Sequence, residues 1–333
     1  MELSDFDYNL PKGLIAQKPV TPKDHSRLMV VGKKIEHKHF YDIINYLKKD
    51  DVLVINDTKV SRAKIQGKKI TGGKIELILC NKLNQETFEA RISGNKIRAG
   101  QKYIFADKLK CEVLNQDKDI FTVKFNKPIT DELRLKLFEL PTPPYVKRKI
   151  SKDSEYQTVY SKESGSVAAP TAGLHFTKEL LKKIQDKGIK IARVCLHVDF
   201  GTFLPVRGKI QEHKIHKEYF EITKENADII NKRKARLIAV GTTSVRALES
   251  SCKNGKILPT QASTDIFIYP GYKFKIKIDA LITNFHFPKS TLLMLVSAYF
   301  GREKILEAYK IAVKEKYSFY SLGDAMLLNS QPQ

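Results

Sequence analysis

The stretch "RLIAVGTTSVRALES", residues 236–250, decides the fold. The apolar run Leu237 to Val240 is short enough for a buried strand. It stops at Gly241, passes three hydroxyl residues and continues with helical periodicity. Strand, tight turn and helix in that order are the repeating unit of an α/β sheet. Gly241 permits the turn, Thr242, Thr243 and Ser244 offer hydroxyls and N-caps, and Val245 to Ser251 follow as a helix with Arg246 in its first turn. Such a helix start can hold a carboxylate or phosphate. The plainer reading is a well-capped helix whose Arg246 pairs with an acidic neighbour.

Three other stretches repeat the pattern. "DVLVI" runs into Asn56-Asp57-Thr58, "IKIARVCLHV" into Asp199-Phe200-Gly201-Thr202-Phe203, and "IDALIT" into Asn284-Phe285-His286. Ligands of open α/β sheets sit beyond the carboxyl ends of the strands, so four polar strand ends in one chain point to one site. In "ITNFHFPKSTLLMLVSAYFG", Pro288 stops the strand and Ser290 or Thr291 caps an apolar helix that reads as core; Asn284 and His286 invite a functional reading. "SVAAPTAGLHFT", residues 166–177, gives up charge for small residues until His175, just before a helix capped by Thr177 and ended by Gly188. A small-residue surface lets a ligand or another backbone approach closely, and a histidine beside it can exchange a proton near neutral pH. Tight packing with a hydrogen-bonded interior His175 satisfies the same spacing.

Between Arg62 and Tyr145 the texture changes to short strand-like pieces separated by Gly, Asn and Asp: "GGKIELILC", "ETFEARISG", "QKYIF", "KCEVL" and "DIFTVKF". The expected fold class is α/β, a large three-layer α/β domain over residues 1–61 and 151–333. A small antiparallel β-barrel-like domain is inserted at 62–150, leaving at "RAKIQGKK" and returning through the proline-rich "LPTPPYVKRK".

The chain of 333 residues is long enough for two ordinary domains. Its 59 Lys and Arg against 37 Asp and Glu give a net charge of +22, which suits a polyanionic partner. A lysine-biased proteome is the competing explanation, since the excess is spread along the chain. Cys80, Cys111, Cys195 and Cys252 lie far apart with no zinc-like spacing, which implies a reducing compartment and no structural metal. "MELSDFDYNL" is unlike a signal peptide, and no apolar stretch approaches the roughly 20 residues of a bilayer span. A cytoplasmic location is expected.

Taken together, the segments resemble the S-adenosylmethionine:tRNA ribosyltransferase-isomerase family of queuosine biosynthesis. The resemblance is carried by "SDFDYNLP", "LIAQKP", "SRLMVV", "VLVINDTKV", "TGGKIE", "LPTPPY", "EYQTVYS", "SGSVAAPTAGLHFT", "LHVDFGTFLPV", "HKIHKEYFEI", "RLIAVGTTSVRALES", "TDIFIYPGY", "ALITNFHFPKSTLLMLVSAYFG" and "KYSFYSLGDAML", in the family's order from residue 4 to 327. It implies an enzyme that uses S-adenosylmethionine as co-substrate and ribosyl donor. The ribosyl unit passes to 7-aminomethyl-7-deazaguanine at the tRNA wobble position, giving epoxyqueuosine, adenine and methionine, with no metal. It also implies a monomer with tRNA as partner and no membrane. The sulfonium acidifies the adjacent 5′ protons, so such a site needs a base, donors for departing adenine, an anion clamp for the methionine carboxylate and a dry pocket.

Those needs suggest roles. His175 is the first candidate base and His286 the second. Arg246 with Thr242, Thr243 and Ser244 would bind an anionic or polar part of the co-substrate, joined by Thr171 and Asn284. Gly201, Thr202 and Phe203 would supply backbone donors and an aromatic face. Asn56, Asp57 and Thr58 would orient ribose hydroxyls or the acceptor base, and Tyr269 would offer a substrate base an aromatic face, with plain packing beside Pro270 as the alternative. His213 and His216 have a metal-like spacing but no evident third ligand, which favours hydrogen-bonded roles with Glu218 as partner. Lys68, Lys69, Lys147 and Arg148 border the insertion and would face the anticodon stem. Asp199 stands where the family usually has glycine, and Lys59, Ser61 and Arg62 depart from its usual "NDTRV" followed by Ile-Pro. Two rivals remain. A methyltransferase lacks its strand-to-helix G-x-G loop here, and an inactive tRNA-binding protein would have no need of "AAPTAGLHF" and "GTTSVR".

Overall fold

A run of apolar residues without polar alternation, such as Val52–Ile55, makes a strand that must be covered on both faces. The computed structural model describes residues 1–148, 150, 152–199, 206 and 208–329. The chain forms two units, Met1–Lys59 with Pro143–Gln333, and Val60–Thr142. It opens with β1 (Arg27–Val31), β2 (Ile35–His39), β3 (Val52–Asn56) and a short β4 (Thr58–Val60). The second unit holds β5 (Lys64–Lys69), β6 (Lys74–Lys82), β7 (Thr87–Ser93), β8 (Lys102–Ile104), β9 (Lys110–Asp117), β10 (Ile120–Phe125) and α1 (Asp131–Leu137). The first unit resumes with β11 (Glu163–Ser166), α2 (Lys178–Asp186), β12 (Lys190–Leu196), β13 (Glu218–Ile222), α3 (Lys224–Asn231), β14 (Leu237–Val240) and α4 (Thr242–Ser251). It ends with β15 (Cys252–Lys253), β16 (Lys256–Ile257), β17 (Thr260–Thr264), β18 (Ala280–Asn284), α5 (Thr291–Phe300), α6 (Arg302–Lys314) and β19 (Ala325–Asn329).

Nine strands make one sheet in the order β17-β13-β12-β3-β14-β18-β19-β1-β2. β12, β3, β14 and β18 are parallel, so their carboxyl ends share one edge of the sheet. β19 runs against β18 and parallel to β1. Strand alternation sends Val52 and Val54 to one face, against Val245 and Leu248 of α4, Leu293 of α5 and Ile305 of α6. Leu53 and Ile55 pack on the other, with Phe40, Ile43 and Leu180 and Ile184 of α2. Helices on both faces make the three layers expected from the sequence.

The second unit is a closed barrel in the order β10-β7-β6-β5-β8-β9, every neighbour antiparallel. Leu77, Phe88, Tyr103, Val113 and Val123 fill it, and closure leaves no free sheet edge. The sequence places β6 to β10 but takes "KIQGKK" only as part of the point where the insertion leaves, whereas it is β5. Only Ile65 of this strand is buried, so the alternation that signals a strand is too weak to see. Packing draws the unit boundaries at Val60 and Thr142, against 62 and 150 from the sequence. Lys147 and Arg148 therefore belong to the first unit, where the Arg148 Nε–H donates to the Gln17 carbonyl at 2.7 Å and the guanidinium pairs with Glu155.

Candidate active site

At the shared strand edge lies a cavity of about 220 Å³. Its first wall is the small-residue run Ala168 to Ala172, fastened over the sheet by hydrogen bonds from the Val167 and Ala168 N–H groups to the Val198 carbonyl (3.0 and 3.2 Å). Its second is the turn from β14 into α4, Gly241 to Thr243, and its third the stretch from β18 into α5, Thr283 to Pro288 with Ser290 and Leu292. Tyr145, Tyr320 and Ser321 close it. The small residues serve both readings of their sequence: Ala168, Ala169 and Ala172 line the cavity, whereas Gly173 gives room to the Tyr160 hydroxyl, 2.0 Å from where a Cβ would stand.

Gly241 turns with φ +85° and ψ 151°, a conformation that L side chains rarely adopt. The helix it starts carries no side-chain cap, contrary to the sequence reading. Two of the three hydroxyl residues are engaged elsewhere: the Ser244 hydroxyl donates back to the Val240 carbonyl at 2.7 Å, and Thr243 Oγ1 accepts from Asn56 Nδ2 at 3.1 Å. The first N–H groups of α4, on Thr242 and Thr243, have no acceptor among the described residues and stand at the cavity wall. Asn56 is fully buried and binds Leu196 through both its N–H and carbonyl (3.0 Å each), so it fixes Thr243 and does not line the cavity.

Asn284 ends β18 at the centre of the site. Its Nδ2 donates to the Tyr320 carbonyl at 3.1 Å and lies 3.4 Å from that of Asp324, which sets the amide orientation because carbonyls only accept. The same nitrogen is 3.2 Å from His175 Nε2, which must then be the accepting nitrogen; Nδ1–H donates to Ser26 Oγ at 2.7 Å. Asn284 Oδ1 is buried with no partner among the described residues. A buried unsatisfied acceptor in a cavity wall is a binding point for an N–H or O–H of a ligand.

The two histidines separate. His286 lines the cavity, with Nε2 2.9 Å from Thr283 Oγ1 and its backbone N–H on the Tyr309 hydroxyl at 2.9 Å. His175 stacks on Phe40 and lies one residue back, behind Asn284, facing a small separate cleft beside Lys23 and Ser26. Burial pushes both imidazoles down to about 3; at His175 the positive charge of Lys23 adds to this and the Asn284 hydrogen bond opposes it. Both are neutral at physiological pH.

Thr171, Thr242, Thr243, Asn284 and His286 are thus brought together, and the other candidates among the described residues are not. Arg246 forms a buried ion pair with Glu218, whose carboxylate also accepts the Asp199 N–H at 2.9 Å. This is the plainer of the two readings of Arg246. Burial raises the Glu218 carboxyl, and the guanidinium holds it back down. Asp57 faces Arg193 at 3.8 Å, and Thr58 Oγ1 lies 2.7 Å from His197 Nδ1, both outside the lining. Tyr269 packs on Phe267. Gly201, Thr202 and Phe203 lie outside the described residues. No group of three His, Cys, Asp or Glu side chains is placed to hold a metal, and no helix is long and apolar enough to cross a membrane, among the described residues. Sequence reasoning gave no role to Tyr145, Phe287, Tyr320 or Ser321; their only signal was membership of the motifs "LPTPPY", "NFHFPKS" and "KYSFYSLGD".

The chain matches a family model described as "Queuosine biosynthesis protein" over residues 3–328. It is 52% identical to the S-adenosylmethionine:tRNA ribosyltransferase-isomerase of Thermosipho melanesiensis, covering 98% of this chain and all of that protein. It is also 52% identical to the enzyme of the same name from Fusobacterium nucleatum, over 98% of this chain and 96% of the relative. A crystal structure of S-adenosylmethionine tRNA ribosyltransferase from Thermotoga maritima superposes with a TM-score of 0.55 at 36% identity, covering 98% of this chain and 100% of that one. With the family model and full-length relatives at about half identity in agreement, the chain belongs to the queuosine biosynthesis family of S-adenosylmethionine:tRNA ribosyltransferase-isomerases.

Proposed function

We propose that the protein transfers and isomerises the ribosyl unit of S-adenosylmethionine onto 7-aminomethyl-7-deazaguanine at the tRNA wobble position, releasing adenine and methionine. It acts as a cytoplasmic monomer. The observation that carries the reading is the complementary polar set in the cavity: free N–H donors at the start of α4 beside the unsatisfied acceptor Asn284 Oδ1. An adenine edge, with ring nitrogens that accept and an amino group that donates, matches that pair.

S-adenosylmethionine supplies an acidic carbon beside its sulfonium and a leaving base. The residues do the rest. Thr242 and Thr243 direct N–H groups and hydroxyls at electron density left on departing adenine, reinforced by the positive end of α4. His286, neutral and in the wall, receives a proton when Nε2–H donates to Thr283 Oγ1 and Nδ1 carries the lone pair. His175 holds Asn284 and so acts through it. Asn56 positions Thr243, and Arg246 with Glu218 anchors α4. The apolar remainder of the wall, Ala168 to Pro170 with Phe285 and Phe287, excludes water from reactive species. The β-barrel unit, through exposed Lys68, contributes to the tRNA surface.

Incubation with S-adenosylmethionine and a tRNA carrying 7-aminomethyl-7-deazaguanine, then digestion and mass measurement of the wobble nucleoside, tests this. Epoxyqueuosine with stoichiometric adenine is expected. An unchanged nucleoside despite tRNA binding would leave only an RNA-binding role, and a methylated one would mean methyl transfer.

A further inference from the structure

Among the described residues no Asp, Glu, Lys or Arg lines the cavity, and the histidine in its wall is neutral. A sulfonium entering it meets no counter-charge, and it has no N–H or O–H with which to satisfy Asn284 Oδ1. What the wall offers instead is a corner of three rings. Phe287 and Tyr320 stack with planes 24° apart. Tyr145 is inclined to them by 62° and 49°, its centroid 5.0 Å from Phe287 and 4.9 Å from Tyr320. The Tyr145 hydroxyl is tied to Ser321 Oγ, which fixes the ring in place.

We propose that the aromatic corner of Tyr145, Phe287 and Tyr320 is the subsite for the sulfonium and reads its positive charge through the negative faces of the rings. This rests on the reading of S-adenosylmethionine as co-substrate. A diffuse cation without hydrogen-bond donors is the kind that aromatic faces hold well in a desolvated place. The neutral wall also serves the chemistry. A carboxylate beside the sulfur would compensate its charge and blunt the acidity of the adjacent C–H, whereas a quadrupole attracts the cation without neutralising it. The corner thus gives specificity for the charged, unspent substrate over the neutral thioether.

The test compares binding of S-adenosylmethionine with that of S-adenosylhomocysteine, which lacks the methyl group and the charge, by calorimetry or equilibrium dialysis. The wild type is expected to prefer the sulfonium. In Phe287→Leu that preference should fall by roughly two- to thirtyfold, the range for one ring face, with thioether affinity unchanged. Thioether binding reports that the variant is folded; should Phe287→Leu bind neither ligand, Tyr145→Leu decides, with Tyr145→Phe expected to keep the preference because the ring remains. A wild-type ratio near one, or a ratio the leucine variants leave within twofold, overturns the subsite while the co-substrate reading stands. A wild type that binds neither molecule overturns both.

Discussion

The Asn284 amide turns its nitrogen to His175 and two carbonyls and leaves its oxygen for the cavity, whose wall includes His286 and not His175. His286→Gln should therefore lower the single-turnover rate of adenine release by roughly 10²- to 10⁴-fold, the usual worth of a positioned acid or base. His175→Gln should cost less, and its loss should appear partly as weakened co-substrate binding through Asn284. A larger rate loss in His175→Gln would restore the sequence ranking. Both histidines have folded values near 3 against an ordinary 6.5, so the unfolded chain binds more protons between those values. The stability they leave intact above about pH 6.5 is lost as pH falls toward 3, at up to about 1.4 kcal/mol per pH unit for each. Urea unfolding from pH 7.5 to 4.5 should show that slope, and it should flatten in His286→Gln. A pH-independent midpoint would mean the imidazoles are not buried neutral. The sequence marks both histidines as special through their small or polar surroundings, yet it cannot rank them. The ranking depends on Asn284 and Tyr320 meeting across the sheet from distant parts of the chain.

At the scale of elements, β3, β12, β14 and β18 were legible because each apolar run ends in a polar cluster. The start of α4 was misread because hydroxyl residues after glycine resemble caps. In the structure their bonds run backward to Val240 and sideways to Asn56, and two backbone donors have no acceptor among the described residues. The same helix explains Arg246. It is 4% exposed and pairs with Glu218 at 3% on β13, so helix and sheet are joined by a buried ion pair. Removing one member strands a buried charge, and Arg246→Met should destabilise the protein by roughly 3–5 kcal/mol. Glu218→Leu should do comparable damage, while the double change Arg246→Met with Glu218→Leu should recover much of it. Chemical denaturation of the four proteins measures the coupling. If the single variants keep their stability and lose only S-adenosylmethionine binding, Arg246 is an anion clamp after all.

Across the whole molecule, a net charge of +22 suits a polyanionic substrate such as tRNA without saying where it would bind. The cavity is no help, since its lining among the described residues is uncharged, so co-substrate and tRNA should respond to salt in different ways. The barrel offers a sharper marker. Lys68 on β5 stands directly opposite Lys74 on β6, both exposed, and like charges in register are destabilising unless something negative lies over them. Lys68→Glu should then move two measurements in opposite directions. The protein should become more stable by about 0.2–1 kcal/mol as the repulsion turns to attraction. Its tRNA affinity should fall, with the slope of log K against log salt reduced by about one to two, as expected when one phosphate contact is lost and reversed. S-adenosylmethionine affinity should remain the same at every salt concentration. Increased stability with unchanged tRNA affinity would free the barrel from RNA contact at this face and move the polyanion surface to the first unit.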